Sequence, residues 1–221
     1  MSSSLIGDRL KFVRWENGVE VYLDLQTNKE LYAGRPQISG DTPEALRTQV
    51  SAIFREALTI EAKGKVPPPS RFWQKPDPRY QRLNDELLPA MERIANGPGS
   101  KLASAHFTLG AILRILNRRQ EAVQAFLKAR DLQPGVIGFL RDLVRCLGEL
   151  GKPREALPYA REAVQLAPMD AAALGNLAAC LMQCGKVGEA LTVIDRALEF
   201  EPGDAINQAI RSRLKTVQAR G

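Results

Sequence analysis

The sequence predicts a mainly α-helical protein: three stacked helical hairpins closed by a C-terminal capping helix, preceded by a small α+β segment of a β-hairpin and a helix. Three observations lead there. Prolines stand at 134, 168 and 202, each closing a unit of 34 residues, and a constant period of this size marks a repeat architecture. Ala122, Ala156 and Ala190 stand 12 residues before these prolines, each directly after a glutamate (Glu121, Glu155, Glu189), and Ala129, Ala163 and Ala197 stand 5 before them. Leucines recur at 109, 143 and 177 and again at 113, 147 and 181.

Within each unit the pattern reads as two helices. The first carries apolar residues at helical spacing, as Leu109, Leu113 and Leu116 do. It stops at Asn117, Gly151 or Gly185, residue types that tolerate a left-handed C-terminal cap. The second starts near Arg119, Pro153 or Val187 and has alanines where two helices must approach closely. Proline ends the pair because it cannot continue a helix. One hairpin cannot bury its own apolar face, but a stack of them shares a continuous core.

This arrangement resembles the tetratricopeptide repeat family. The first unit matches its pattern best, with Leu109-Gly110, Ala122, Phe126, Ala129 and Pro134, and His106 stands where the family usually has tryptophan. The second unit departs at Val144 and Ala160, and the third has Ala178 and Ile194 there; these are size-compatible core swaps. The resemblance covers units 103–136, 137–170 and 171–204 within an array spanning 101–221, and it implies a right-handed α-solenoid.

Composition sets outer bounds. With 44% apolar residues the chain is that of a folded protein, and no run approaches the roughly 18 apolar residues that span a membrane. The first eight residues lack a secretory pattern. Cys146 and Cys180 are 34 apart, in equivalent slots of successive repeats, so they read as small core residues; with Cys184 and a single histidine, no disulfide framework or metal site is expected. A reducing, cytoplasmic setting follows. Residues 1–100 hold 14 Lys+Arg against 13 Asp+Glu, and residues 101–221 hold 17 against 12. There is no basic run and no aromatic–basic interleaving, so nucleic acid is disfavoured.

Before the array, residues 1–64 read as one small module. Leu10–Trp15 and Val19–Asp24 flank Asn17-Gly18, a strong hairpin signal, and Glu30–Ala33 can add a third strand. Thr42-Pro43-Glu44 opens a helix running to about Ala62, with Leu46, Val50, Ile53, Phe54 and Leu58 along one stripe. Residues 65–78 are a proline-rich linker. Within residues 79–100 a pre-repeat helix spans about 79–95, and Pro89 inside it should kink or break it. At the far end Asp204 caps a final helix over 205–219 with a stripe of Ile206, Ile210, Leu214 and Val217 and a polar outer face.

No phosphate-binding loop, dinucleotide fingerprint or nucleophile elbow is present, and Asp85-Glu86 reads as a solvated helix face. No catalytic residue, cofactor or metal is expected. The resemblance instead implies a concave groove lined by the first helix of each pair. Carried over by repeat position, it presents Phe107, Thr108, Ala111 and Arg114; then Arg141, Asp142 and Arg145; then Gly175, Asn176, Ala179, Met182 and Gln183. Of these, Phe107, Arg114, Arg141, Arg145, Asn176 and Met182 are the candidate partner-binding residues. Arg141 and Arg145 share one helix face and with Arg114 form a basic wall, and arginine grips carboxylates bidentately. Asn176 alone matches the carboxylate-clamp version of the family. The expected function is that of a non-enzymatic adaptor, scaffold or assembly chaperone that binds an acidic or amphipathic segment of another protein. The N-terminal hairpin would offer a second contact or an interface between copies. Two other readings stay open: a nucleic-acid-associated regulator using residues 1–65, and a non-catalytic subunit of a larger enzyme complex.

Overall fold

The computed structural model describes residues 42–67 and 77–219, and the backbone of 10–16, 19–24 and 29–33. The expected turn at Asn17-Gly18, the side chain of Trp15, and Trp73 and Pro76 of the linker lie outside the described residues.

Three strands, β1 (Leu10–Glu16), β2 (Val19–Asp24) and β3 (Lys29–Ala33), pair antiparallel in the order β1-β2-β3. Trp15 faces Glu20 in register, and the β1–β2 register shifts between Phe12 and Arg14.

Helix α1 (Pro43–Ala62) starts where Thr42 accepts a hydrogen bond from the Ala45 amide at 3.2 Å, with proline in its first turn. Of the expected stripe Leu46 and Val50 are buried and Ile53 and Phe54 half-buried; Leu58 lies exposed, and Ala57 and Ile60 complete the buried face. The next helical run comprises α2 (Pro78–Gln81), a π-helical stretch Arg82–Leu87 and α3 (Leu88–Asn96). Pro89 has no N–H to donate back one turn and its ring crowds the preceding turn; the wider π turn just before it absorbs both. The run stays continuous and buries Leu83, Leu87, Leu88, Met91 and Ile94.

Six helices build the three hairpins: α4 (Ala103–Ile115) with α5 (Arg119–Leu132), α6 (Ile137–Glu149) with α7 (Pro153–Leu166), and α8 (Ala171–Gln183) with α9 (Val187–Phe200). Helix α10 (Ala205–Gln218) packs on α9 and α8. Each hairpin turn is the same device. Asn117, Gly151 and Gly185 have φ of 66°, 71° and 77°. The following amides of Arg118, Lys152 and Lys186 reach back to the carbonyls of Leu113, Leu147 and Leu181 at 2.8, 2.9 and 2.9 Å. The same three cations then pair with the glutamates three residues on, Glu121, Glu155 and Glu189, in the first turn of the second helix. That is why a glutamate precedes each of the repeat alanines.

The alanines Ala122, Ala156 and Ala190 have no exposed surface, nor have Ala129 and Ala197. Facing positions trade volume. Gly110 lies against the fully buried Phe126, whereas the same two slots hold Val144 and Ala160 in the second unit and Ala178 and Ile194 in the third. The cysteines follow the same logic: Cys146 and Cys180 are buried, and burial pushes their thiols up to about 12 and about 11, so both stay neutral and unreactive.

Helix α10 departs from expectation in one respect. Leu214 is buried, but Ile206 is 72% exposed and Val217 is also exposed, so the outer face is not uniformly polar. A polar residue, Asn207, is buried in their place. Its Nδ2 donates to the Ala171 carbonyl at 3.2 Å, and its side chain lies over Gly175.

Both glycine contacts are tight. A Cβ at Gly110 would lie 2.6 Å from the Phe126 ring, and one at Gly175 would lie 2.1 Å from Asn207 Oδ1. Gly110→Ala and Gly175→Ala should each lower stability by about 1–3 kcal/mol in urea denaturation, as overpacking does. Asn207→Ala should recover part of the Gly175→Ala loss and none of the Gly110→Ala loss.

Candidate functional site

The first helices of the hairpins, α4, α6 and α8, stand in register, so equivalent positions can be compared. Phe107, Arg141 and Gly175 share one slot; Ala111, Arg145 and Ala179 a second; Arg114, Gly148 and Met182 a third. Of the wider groove set, Thr108, Ala111 and Gly175 are buried and offer nothing to a partner.

At the first slot the structure corrects the sequence reading. Phe107 is already covered: its ring centroid lies 5.5 Å from Phe54 of α1, 5.6 Å from Phe126 and 4.9 Å from Phe139. The contacts are tilted, the arrangement aromatic rings prefer. Arg114 is covered as well. Its Nη1 and Nη2 donate to Glu61 Oε1 and Oε2 at 2.7 and 2.8 Å, and its side chain is only 11% exposed. Phe54 and Glu61 are seven residues apart, as are Phe107 and Arg114, so α1 runs parallel to α4 over two turns. Phe107 and Arg114 therefore hold α1, and neither stands on the open part of the face. The Arg114 guanidinium keeps the Glu61 carboxyl below the usual carboxylate range, and the charge of Arg145 adds to this.

Beyond α1 the face is open. Arg145 is exposed and Arg141 half-buried, one turn apart on α6. Each has an acidic neighbour: Arg141 reaches Asp170 at 3.3 Å, and Arg145 pairs with Asp142. Asp170 also caps α8, accepting from the Ala173 amide at 2.7 Å. The basic wall thus has two arginines rather than three, both anchored at one edge. On α8, Asn176, Ala179 and Met182 are half-buried and Gln183 is exposed. No local pattern places Phe54 or Glu61 in this site, because their roles depend on contacts 53 residues away.

His106 is a core residue: it is buried, and its Nε2–H donates to the Ser100 carbonyl at 3.0 Å. Burial lowers its pKa. Among the described residues no three His, Cys, Asp or Glu side chains cluster as a metal site would need, and no helix is long and apolar enough to cross a membrane. A cavity of about 560 Å³ between α5 and α7 is lined by Val123, Leu127, Leu150 and Tyr159, but its charged rim, Glu121, Lys152 and Glu155, is taken up by the helix-start pairs.

Two family models match the chain, both described as tetratricopeptide repeat, one over residues 103–135 and one over 147–214. No curated protein matches. Among solved structures, YrrB, described as a TPR protein with an unusual peptide-binding site, is 21% identical with a TM-score of 0.55, over 75% of this chain and 84% of its own. MamA from Desulfovibrio magneticus RS-1 is 16% identical with a TM-score of 0.60, over 77% and 86%. The first TPR of Spaghetti (RPAP3), bound to the HSP90 peptide SRMEEVD, is 21% identical with a TM-score of 0.52, over 54% and 95%. At these identities the likeness shows the fold.

Two predictions follow from the buried groups. Glu61→Ala should cost about 1–2 kcal/mol, the range for a charge-assisted hydrogen-bonded contact that is partly exposed. Hydrogen exchange should then show α1 opening before α4–α10. For His106, whose folded pKa is depressed, the unfolded chain takes up the proton first. Stability should therefore fall as pH drops through the unfolded value of about 6.5 and level off below the folded value. His106→Gln should flatten that part of the stability–pH curve.

Proposed function

We propose, from the tetratricopeptide repeat models that match residues 103–135 and 147–214, that the chain is a non-enzymatic adaptor that binds an acidic segment of another protein. The observation that carries this reading is the pair Arg141 and Arg145 on the open part of the first-helix face, next to the half-buried Met182 and Asn176. Arginines one turn apart can take two carboxylates of an extended or helical segment, while Met182 offers a soft apolar contact. Asp142 and Asp170 hold the guanidiniums in place and leave them donors to spare, since each guanidinium has five N–H groups. The peptide bound to the RPAP3 repeat, SRMEEVD, is itself acidic, which agrees with this choice of partner.

The segment would lie along α6 and α8, because α1 closes the surface of α4. The repeats would curve as a right-handed solenoid around it. The N-terminal sheet would supply a second contact: β1 and β3 have only β2 as a partner among the described residues, and an open strand edge can accept a strand from a partner or a second copy.

The test is affinity co-purification with the native host's proteins, comparing the wild type with Arg141→Glu/Arg145→Glu after circular dichroism confirms that both fold. A partner recovered with the wild type and reduced at least tenfold with the variant is expected, since two attractive contacts become repulsive. Equal recovery with both proteins would remove α6 from the site.

A further inference from the structure

A cavity of about 670 Å³ opens where the tail of α1 crosses the ends of α4 and α6. Four cations line it, Lys65, Arg114, Arg119 and Arg145, against two carboxylates, Glu61 and Glu149. Asp142, paired with Arg145, narrows the excess but does not cancel it. Arg114 engages Glu61 through its two terminal nitrogens, and Arg119 engages Glu149 at 2.5 Å. Arg114 Nε is buried and has no acceptor among the described residues. Such a donor is costly to leave unmade. Val66, Pro67 and Ile115 add an aliphatic stretch of wall, and Gly64 and Asn117 complete it.

We infer that this cavity is a second anchoring site, one that takes a carboxylate side chain and the aliphatic residue beside it from an acidic partner segment. It rests on the reading that the array binds such a segment, and it adds where one end of that segment is held. The argument is charge complementarity in a partly enclosed space. Cations facing a walled cavity act at lower effective dielectric than cations on an open helix face. The aliphatic wall favours a peptide over a free inorganic anion, which would have nothing to place there. Arg145 connects the two sites: it lies on the open face of α6 and also lines the cavity. The tail of α1, through Lys65 and Val66, is part of the wall. Without the docking of α1 through Glu61 and Phe54, the cavity would not exist.

The test uses the full 15N-labelled chain and the probe acetyl-Glu-Leu-Glu-amide, with acetyl-Gln-Leu-Gln-amide and inorganic phosphate as comparisons. Saturable amide shifts at Gly64, Lys65, Asn117 and Arg145 are expected with the acidic probe and not with the neutral one. Lys65→Glu, an exposed substitution that leaves the core untouched, should weaken binding about five- to tenfold, as reversal of one charged contact does. Raising salt from about 0.05 to about 0.3 M should weaken it further. The inference fails if no shift saturates at these amides, if equal shifts spread to basic residues elsewhere such as Arg213 and Lys215, or if phosphate binds more tightly than the acidic probe. A partner that is still lost with Arg141→Glu/Arg145→Glu while the cavity stays silent would sink this inference and leave the adaptor reading standing.

Discussion

The whole array depends on how closely the two helices of each hairpin can approach. That distance is set by the side chains at the crossing. Here the crossing is held by buried alanines, 12 and 5 residues before each proline. Around them the volume is conserved in pairs. Gly110 admits the Phe126 ring; Val144 sits across from Ala160; Ala178 sits across from Ile194. A large residue in one slot is matched by a small one in the other, so the core keeps native density while the residues change. The repeat is therefore conserved as a geometry, and its sequence pattern is the trace of that geometry.

The position of α1 decides what the array can recognise. A first-helix face is normally read as one continuous surface, yet here its first third is filled by the chain itself. The fit is specific in two ways: a ring packs among three rings, and a carboxylate meets a guanidinium through two parallel bonds seven residues further on. Both contacts require the same parallel register, so a slip of α1 by one residue loses both. Docking α1 covers Phe107 and ties Arg114 to Glu61 at the wall of the cavity. It also adds Lys65 and Val66 to the edge of what remains open. Recognition is thereby shifted toward α6 and α8.

How much of this was legible in the sequence follows the range of the interactions. The turns were legible because Asn117, Gly151 and Gly185 act on their own backbone, and the caps at Thr42 and Asp204 act within one turn. The hairpin cores were legible because a 34-residue period repeats the same contact three times. Arg114 was misread because its repeat position says only that it points toward the inner face. Whether that face is open depends on Glu61, 53 residues earlier, and a single distant pair leaves no period to detect. The exposure of Leu58 has the same cause: α4 packs on α1, and the last turns are covered at Ala57 and Ile60 instead. Pro89 announced a disruption, but a π turn and a kink are equally compatible with a missing N–H; the chain takes the π turn, with Leu83, Leu87 and Met91 buried along it.

The end of the array shows how a repeat is stopped without losing register. Helix α10 occupies the place of a fourth first helix, but Gln208, Ser212 and Lys215 stand exposed where a following helix would need apolar partners. A terminal helix with less apolar burial could slide along α8. Asn207 prevents this, because it is buried at the slot that Ala105, Phe139 and Ala173 fill in the repeats, and its amide finds the Ala171 carbonyl at one position only. Moving α10 by a turn would leave that amide buried and unpaired. Asp204 fixes the start of the helix from the other side, accepting from the amides of Ile206 and Asn207. The cap is thus placed by polar bonds, whereas the hairpins are placed by volume. That leaves its solvent face free to carry Ile206 and Val217 without affecting the register of the array.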